Sequence, residues 1–311
     1  MTLNERANLV ADYLEQHAGR HRVAVSRVAG ARVIDCGGAV TGSLAAGLAM
    51  ARVCLADLAD VCYVPDAETG GPAVQVTTDD PVRACLASQY AGWQVQVEKF
   101  FAMGSGPMRA LAAREDIFQH IPGKEEAACA VGVLETRKHP TEDVIAAIVG
   151  KLPTVAESLT LLVAPASSLA GTTQVVARSV ETALHKLHEL KFDVSQVVSG
   201  YGVAPLPPVA PDELAAIGRT NDAILYGGKV VLWVRADDEI LDAIGPKVPS
   251  CASKDHGAPF AEVFARYGDF YKIDPLLFSP AVVEFRNLKT GKCHRFGRTE
   301  PGLVRKSFGL A

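Results

Sequence analysis

Residues 164–190 read APASSLAGTTQVVARSVETALHKLHEL, and they follow the apolar run SLTLLV at 158–163. A short apolar run, a turn of small residues and then helical spacing read as strand, loop and helix. Val176, Val180, Leu184 and Leu187 recur at helical steps and form the buried face. Arg178, Glu181, His185 and His188 fall together on a neighbouring polar stripe, because residues three and four apart share a face. Two readings of that stripe stand side by side. It is a solvated salt-bridge face, or it is a catalytic base with its orienting partner. One continuous helix begun near Thr172 would carry Glu181 roughly 13 Å down its axis at about 1.5 Å per residue.

The stretch ahead of it decides the sheet. AACAVGVLE (127–135) reads as a strand, and TEDVIAAIVGKL (141–152) as a helix opened by Thr141. With SLTLLVA they make a βαβ unit, whose helical crossover makes the two strands parallel. Parallel strands present their carboxyl ends on one edge, where ligands of open sheets gather. Glu135 ends the first strand, and the Pro165–Gly171 loop follows the second.

The rest alternates without a strict order. Thr2 and Glu5 read as a capping box on an N-terminal helix. A hairpin turns at Ala29-Gly30, and the small-residue helix SLAAGLAMARVCLADLAD (43–60) follows, with Ser43 as its cap. VCYV and AVQVTT are strands, and PVRACLASQYAGW (81–93) is a helix with proline in its first turn. QVQVEKFFAM (94–103) reads as one strand, and MGSGPMRALAAR as a glycine turn feeding a helix. VAPLPPVAP (203–211) is too rich in proline for a helix or a central strand. DELAAIGRTNDAILYGG is a helix stopped by Gly227-Gly228, and KVVLWVRA a strand. AVVEFRNLKTGKCHRFG is a closing hairpin turned at Lys289–Gly291. This mixture reads as α+β, in two domains. The polar stretch HIPGKEE (120–126) sets the expected boundary, giving domains at 1–122 and 123–311.

Composition removes several function classes. The 311 residues carry a net charge of −4, without the basic excess of a nucleic-acid binder. No apolar run reaches the roughly 18 residues that span a bilayer, and the first residues are a capped helix rather than a signal peptide. The expectation is a cytoplasmic protein with no membrane partner. Seven cysteines without a C-x-x-C pair fit reduced thiols.

Candidate chemistry is sparse. Ser105 and Gly106 precede Pro107 at a helix start, where free N–H groups suit an anion, although an ordinary capped turn explains them as well. His185 and His188 lack the i, i+4 spacing and the third ligand of a zinc site, so no metal is expected. Arg219 and Asn221, in GRTND (218–222), suit a polar pocket wall or a surface patch equally. Charged residues from two elements near one sheet edge indicate no more than a hydrolase or a small-molecule binder.

A resemblance carries the reading further. VIDCG (33–37), PAVQVTTDDP (72–81), AGWQVQV (91–97), FAMGSGP (101–107) and LLVAPASSLAG (161–171) occur in this order. ARSVET (177–182), GRTNDAILYGG (218–228), FYKIDP (270–275) and SFGL (307–310) follow them. Together they resemble methenyltetrahydromethanopterin cyclohydrolase along nearly the whole chain. The resemblance implies two α+β domains with a substrate pocket between them, assembled as a homotrimer. It implies interconversion of N5,N10-methenyl- and N5-formyl-tetrahydromethanopterin, in formaldehyde oxidation or methanogenesis, with no metal or other cofactor. The family's Arg-x-x-Glu helix corresponds to Arg178 and Glu181, and its strand-end Leu-Glu to Leu134-Glu135. Ser105, Gly106, Pro165, Ser167, Ser168, Arg219 and Asn221 are the expected substrate contacts. The basic run Thr136-Arg137-Lys138-His139 departs from the more acidic segment expected there. The alternatives are a non-catalytic pterin carrier and a pterin-dependent formyltransferase.

Overall fold

The computed structural model describes residues 1–153, 157–268 and 272–310. The chain divides into two compact units, one of Met1–Ala59 with Arg83–Val175, the other of Asp60–Val82 with Val176–Ala311. The expected cut at 122/123 therefore does not mark the division, because each unit draws on two stretches of chain. Each is built on its own six-stranded mixed sheet with helices, so the protein is α+β.

In the first unit the sheet order is β1 (Ala24–Val28), β2 (Ala31–Asp35), β8 (Ser158–Ala164), β7 (Cys129–Glu135), β6 (Phe100–Ser105), β5 (Trp93–Val97), numbered along the chain. β2, β8 and β7 are parallel, in register from Arg32↔Thr160 and Cys129↔Ser158. The carboxyl ends Asp35, Ala164 and Glu135 therefore share an edge. Neighbouring residues point to opposite faces. Ile34, Val133 and Leu162 pack with Ala7, Val10 and Leu14 of α1 (Leu3–Gln16) and Met50 of α3 (Leu44–Cys54). Val33, Leu134, Leu161 and Val163 pack on the other face with Val144 and Ile148 of α5 (Glu142–Val149) and Met108 of α4 (Met108–Ala112). α2 (Ala18–His21) is a single turn between α1 and β1. The capping box on α1 is present, and Ser43 and Thr141 cap α3 and α5 as expected.

Two local expectations differ. QVQVEKFFAM is a hairpin, β5 and β6, turned at Glu98 in a left-handed conformation with φ 49°. Alternating apolar residues on both sides of a two-residue turn look like one strand when no glycine marks the turn. The helix Val82–Gln89 is widened, with the Tyr90 N–H bonding the Cys85 carbonyl five residues back.

In the second unit the order is β12 (Cys293–Gly297), β11 (Val282–Asn287), β10 (Lys229–Val234), β9 (Val197–Pro205), β4 (Pro72–Thr78), β3 (Asp60–Pro65). β9 lies inside the sheet and runs into the proline-rich stretch, contrary to the expectation that this stretch excludes a central strand. Pro205 is tolerated because β10 pairing begins at Val203, so Ala204 and Pro205 pair with β4 alone. α8 (Glu213–Gly227), capped by Asp212, is joined by α9 (Asp238–Ile244), α10 (Phe260–Tyr267) and α11 (Pro301–Phe308).

Candidate active site

The decisive stretch does not form one helix. α6 runs Leu169–Val176 and α7 runs Ser179–Glu189, with Ala177 and Arg178 between them. Arg178 has φ −89° and ψ 9°, outside helical values, and restarts the helix. Glu181 consequently lies in the first turn of α7 rather than far down a longer axis. There the positive end of the helix dipole favours a carboxylate. The arginine is 8% exposed and the glutamate 5%, so the solvated-face reading of this pair fails. Further along, the stripe is half-buried, and His185 Nε2 lies 3.9 Å from Glu189 Oε1.

Glycines in β9 fix where that turn sits. A Cβ on Gly202 would lie 2.4 Å from Ser179 Oγ and 2.8 Å from Val180 Cγ2, and one on Gly200 would lie 2.8 Å from Val180 Cγ1. The first turn of α7 thus rests directly on the sheet backbone, a contact that side chains at those positions would prevent.

In the first unit, Glu135 ends β7 and is half-buried, beside the equivalent ends of β2 and β8. The loop after β8 is a closed turn. Ser168 Oγ donates to the Pro165 carbonyl at 2.8 Å and accepts the Gly171 N–H at 3.0 Å. A Cβ on Gly171 would meet the Pro165 oxygen at 1.8 Å, so only glycine fits there. Ser167 is half-buried and accepts a 2.6 Å bond from Arg137 Nη2, which ties the basic Arg137 to this loop. The loop after β2 is held by Asp35, whose carboxylate accepts the N–H groups of Gly37, Gly38 and Ala39 at 2.9, 2.6 and 2.7 Å.

Ser105 and Gly106 lie at the end of β6. The Gly106 N–H is spent on the Ser88 carbonyl at 2.9 Å, which removes the donor that an anion at this turn would use. Ser105 is 1% exposed, with its hydroxyl 3.6 Å from Cys54 Sγ.

Arg219 and Asn221 make architectural bonds. Arg219 Nη1 donates to the Pro208 and Val209 carbonyls at 3.1 and 3.4 Å and holds the proline-rich loop. Asn221 Nδ2 donates to the Ile217 carbonyl one turn back, at 2.8 Å. The buried charged residue of that motif is Asp222, at 0% exposure, which is not among the expected contacts. It accepts the Phe260 N–H at 2.8 Å and the Ser307 hydroxyl at 2.6 Å. Burial pushes its carboxyl up to about 7, against those two hydrogen bonds, and Glu262 adds to the rise. Among the described residues, no three His, Cys, Asp or Glu side chains come together as a metal-binding group, and no helix is long and apolar enough to cross a membrane.

The family model described as "Cyclohydrolase (MCH)" matches residues 2–308. The chain belongs to this family. It is 52% identical over 291 residues to the methenyltetrahydromethanopterin cyclohydrolase of Rhodopirellula baltica, covering 91% of this chain and 87% of that one. The protein of the same name from a Methylobacterium species is 46% identical, covering 99% of this chain and 97% of its own length. The one from the archaeon Methanococcoides burtonii is 42% identical, covering 90% and 89%.

Stretches on which the cyclohydrolase resemblance rests meet in space within each unit. The Cys36 N–H bonds the Val163 carbonyl at 2.8 Å, and a Cβ on Gly37 would meet Ser168 Oγ at 2.5 Å, so VIDCG packs on LLVAPASSLAG. Asp222 and Ser307 join GRTNDAILYGG to SFGL. In FYKIDP, Phe270 and Tyr271 lie outside the described residues. Asp274 of the same stretch accepts the Ser253 hydroxyl at 2.7 Å.

Proposed function

We propose that this chain hydrolyses the methenyl bridge of N5,N10-methenyltetrahydromethanopterin to the N5-formyl compound, and runs the reverse closure. Kinship along residues 2–308 supports the reaction. The observation that carries the catalytic assignment is the burial of Arg178 and Glu181, at 8% and 5% exposure, in a helix-opening turn.

The bridging carbon sits between two nitrogens that share a positive charge, so it is electrophilic without further activation. The reaction needs a positioned water and a place for its proton. Glu181 takes the proton as the water oxygen bonds to carbon. The tetrahedral carbinolamine then collapses: its hydroxyl gives up a proton as the carbonyl forms, N10 takes a proton as its bond to the carbon breaks, and formyl remains on N5. One proton is released overall as the cation becomes a neutral amide. A general base of this kind contributes about 10²–10⁴ in rate. Arg178, three residues before Glu181, orients the carboxylate and offsets its charge. Glu135 is the second acid/base, or the anion that steadies the substrate cation. Ser167 contacts the substrate from the Pro165–Ser168 loop, and Ser105 and Gly106 act through the buried turn they form. Arg219 and Asn221 act through the architecture they hold. We extend the reading to a cytoplasmic homotrimer that needs no metal or other cofactor. A monomer mass by light scattering at micromolar concentration would remove the trimer.

The test is a single-substrate assay on purified protein, with Glu181→Gln, Arg178→Gln and the double variant. Turnover with water alone separates hydrolysis from formyl transfer, which needs an acceptor, and from a carrier, which binds without turnover. Each single variant is expected to lose roughly 10²-fold or more in kcat with a smaller change in KM. The losses should be non-additive, because both act on one event. Wild-type kcat in Glu181→Gln would end its assignment as the base.

A further inference from the structure

The first unit buries two polar side chains that the mechanism has not used. Cys54, the last residue of α3, and Gln174, on α6, are both 0% exposed. Gln174 Nε2 lies 3.4 Å from Glu135 Oε2. Its Oε1 lies 3.7 Å from Cys54 Sγ, and that sulfur lies 3.6 Å from Ser105 Oγ. The four groups form a line from the end of β6 to the end of β7.

The direction of that line follows from chemistry. An ionised carboxylate only accepts, so the amide must turn its NH₂ toward Glu135 and its oxygen toward the thiol. The thiol has one hydrogen and gives it to that oxygen, and its sulfur accepts from the Ser105 hydroxyl. Every donor in the chain points toward Glu135. Cys54 is itself anchored, because its carbonyl accepts the Ser88 hydroxyl at 2.6 Å, and Ser88 in turn holds Gly106. A glutamine in the small-residue and apolar run LAGTTQVV has no packing advantage over leucine or methionine, and its burial is tolerated only with both ends of the amide engaged.

We propose that Gln174 is a positioning residue, which holds the Glu135 carboxylate in one orientation, and that Cys54 fixes which way the Gln174 amide faces. The inference rests on the reading of Glu135 as a group of the reaction. Gln174 acts through Glu135, and Cys54 acts through Gln174.

The test measures kcat, KM, the pH profile and melting temperature of the full-length protein on the methenyl substrate. Glu135→Gln serves as the control. Gln174→Met keeps volume and removes the amide. It should lower kcat roughly tenfold with KM within about twofold, as misplacement of a reacting group does. Gln174→Glu sets a second carboxylate against Glu135 and should move the acid limb of the kcat profile up by about one pH unit or more, since paired carboxylates resist joint ionisation. Cys54→Ala should cost about threefold, and Cys54→Ser, which restores a donor, should recover most of it. Should Gln174→Met fail to fold, Gln174→Glu and the Cys54 pair carry the test. An impaired Glu135→Gln with wild-type kcat and pH profile in the Gln174 variants overturns the positioning role and leaves Glu135 standing. Wild-type turnover in Glu135→Gln overturns the role of Glu135, and this inference with it.

Discussion

Asp222→Asn should remove the pH dependence that one buried carboxyl imposes on stability. Asp222 is fully buried, and burial raises its carboxyl from 3.8 to about 7 in the folded chain. Below pH 3.8 the group is neutral whether the chain is folded or not, and its contribution is complete. As pH rises the unfolded chain ionises first, and stability falls with each pH unit until the folded carboxyl ionises near 7. At about 1.4 kcal/mol per unit, the span is worth on the order of 4 kcal/mol. Asparagine keeps the volume, accepts the Phe260 N–H through Oδ1 and can donate to the Ser307 oxygen through Nδ2. It carries no charge at any pH in the range. Denaturant unfolding of both proteins at pH 4.5, 5.5, 6.5 and 7.5 isolates the effect, with salt and protein concentration fixed. The variant should gain on the wild type steadily toward pH 7.5. A difference that stays flat across this range, or one that widens toward acid, would refute the argument that burial governs this carboxyl.

Three further outcomes are expected. Asn4→Ala should cost about 2–4 kcal/mol in denaturant unfolding, because the buried amide bonds the Pro107 carbonyl, Glu125 Oε1 and the Val131 N–H at 2.9, 2.7 and 2.8 Å, and the residue left behind satisfies none of them. Gly202→Val should lower kcat more than roughly tenfold by lifting the first turn of α7 off β9, whereas Gly302→Ala, where a Cβ meets nothing within 4 Å, should leave kcat unchanged. Dialysis against a strong chelator should leave turnover intact, and stoichiometric zinc or iron whose removal abolishes activity would contradict the reading of a self-activated substrate.

Long periodic elements and chemically marked ends were legible in the sequence. The βαβ unit, with β7 and β8 in parallel register and Thr141 as the cap, follows directly from hydrophobic spacing and one hydroxyl. The closing hairpin at Lys289–Gly291 is equally explicit, since Gly291 takes φ 74°. What could not be read depends on partners distant in the chain. Pro205 sits in an interior strand because the pairing of β10 starts two residues earlier, a fact about register that composition does not contain. The division into units is not legible because residues 60–82 belong with 176–311, and a polar stretch marks a boundary only between contiguous domains. Gln174 and Asp222 look like ordinary helix residues until burial removes the water that would otherwise satisfy them. The one sequence signal is a polar side chain within an apolar or small-residue helix face.

The interruption at Ala177–Arg178 best shows how local structure makes chemistry. ARS contains neither glycine nor proline, so the helical periodicity of the valines and leucines runs through it without a mark. The register of the apolar face explains why both helices bury, since Val176 and Val180 are each fully enclosed on either side of the break. It cannot explain where the backbone hydrogen bonds stop. Ending one helix at Val176 and opening another at Ser179 creates a new N-terminus inside the protein. That terminus places a positive dipole end within one turn of Glu181. Gly200 and Gly202 let the turn approach the strand, and Arg178 is buried at the junction itself. A single unbroken helix of the same sequence would leave Glu181 in mid-helix, where the dipole is cancelled by neighbouring turns. The break therefore turns a salt-bridge pattern common on protein surfaces into a buried carboxylate held at a helix start, the environment that the proposed base requires.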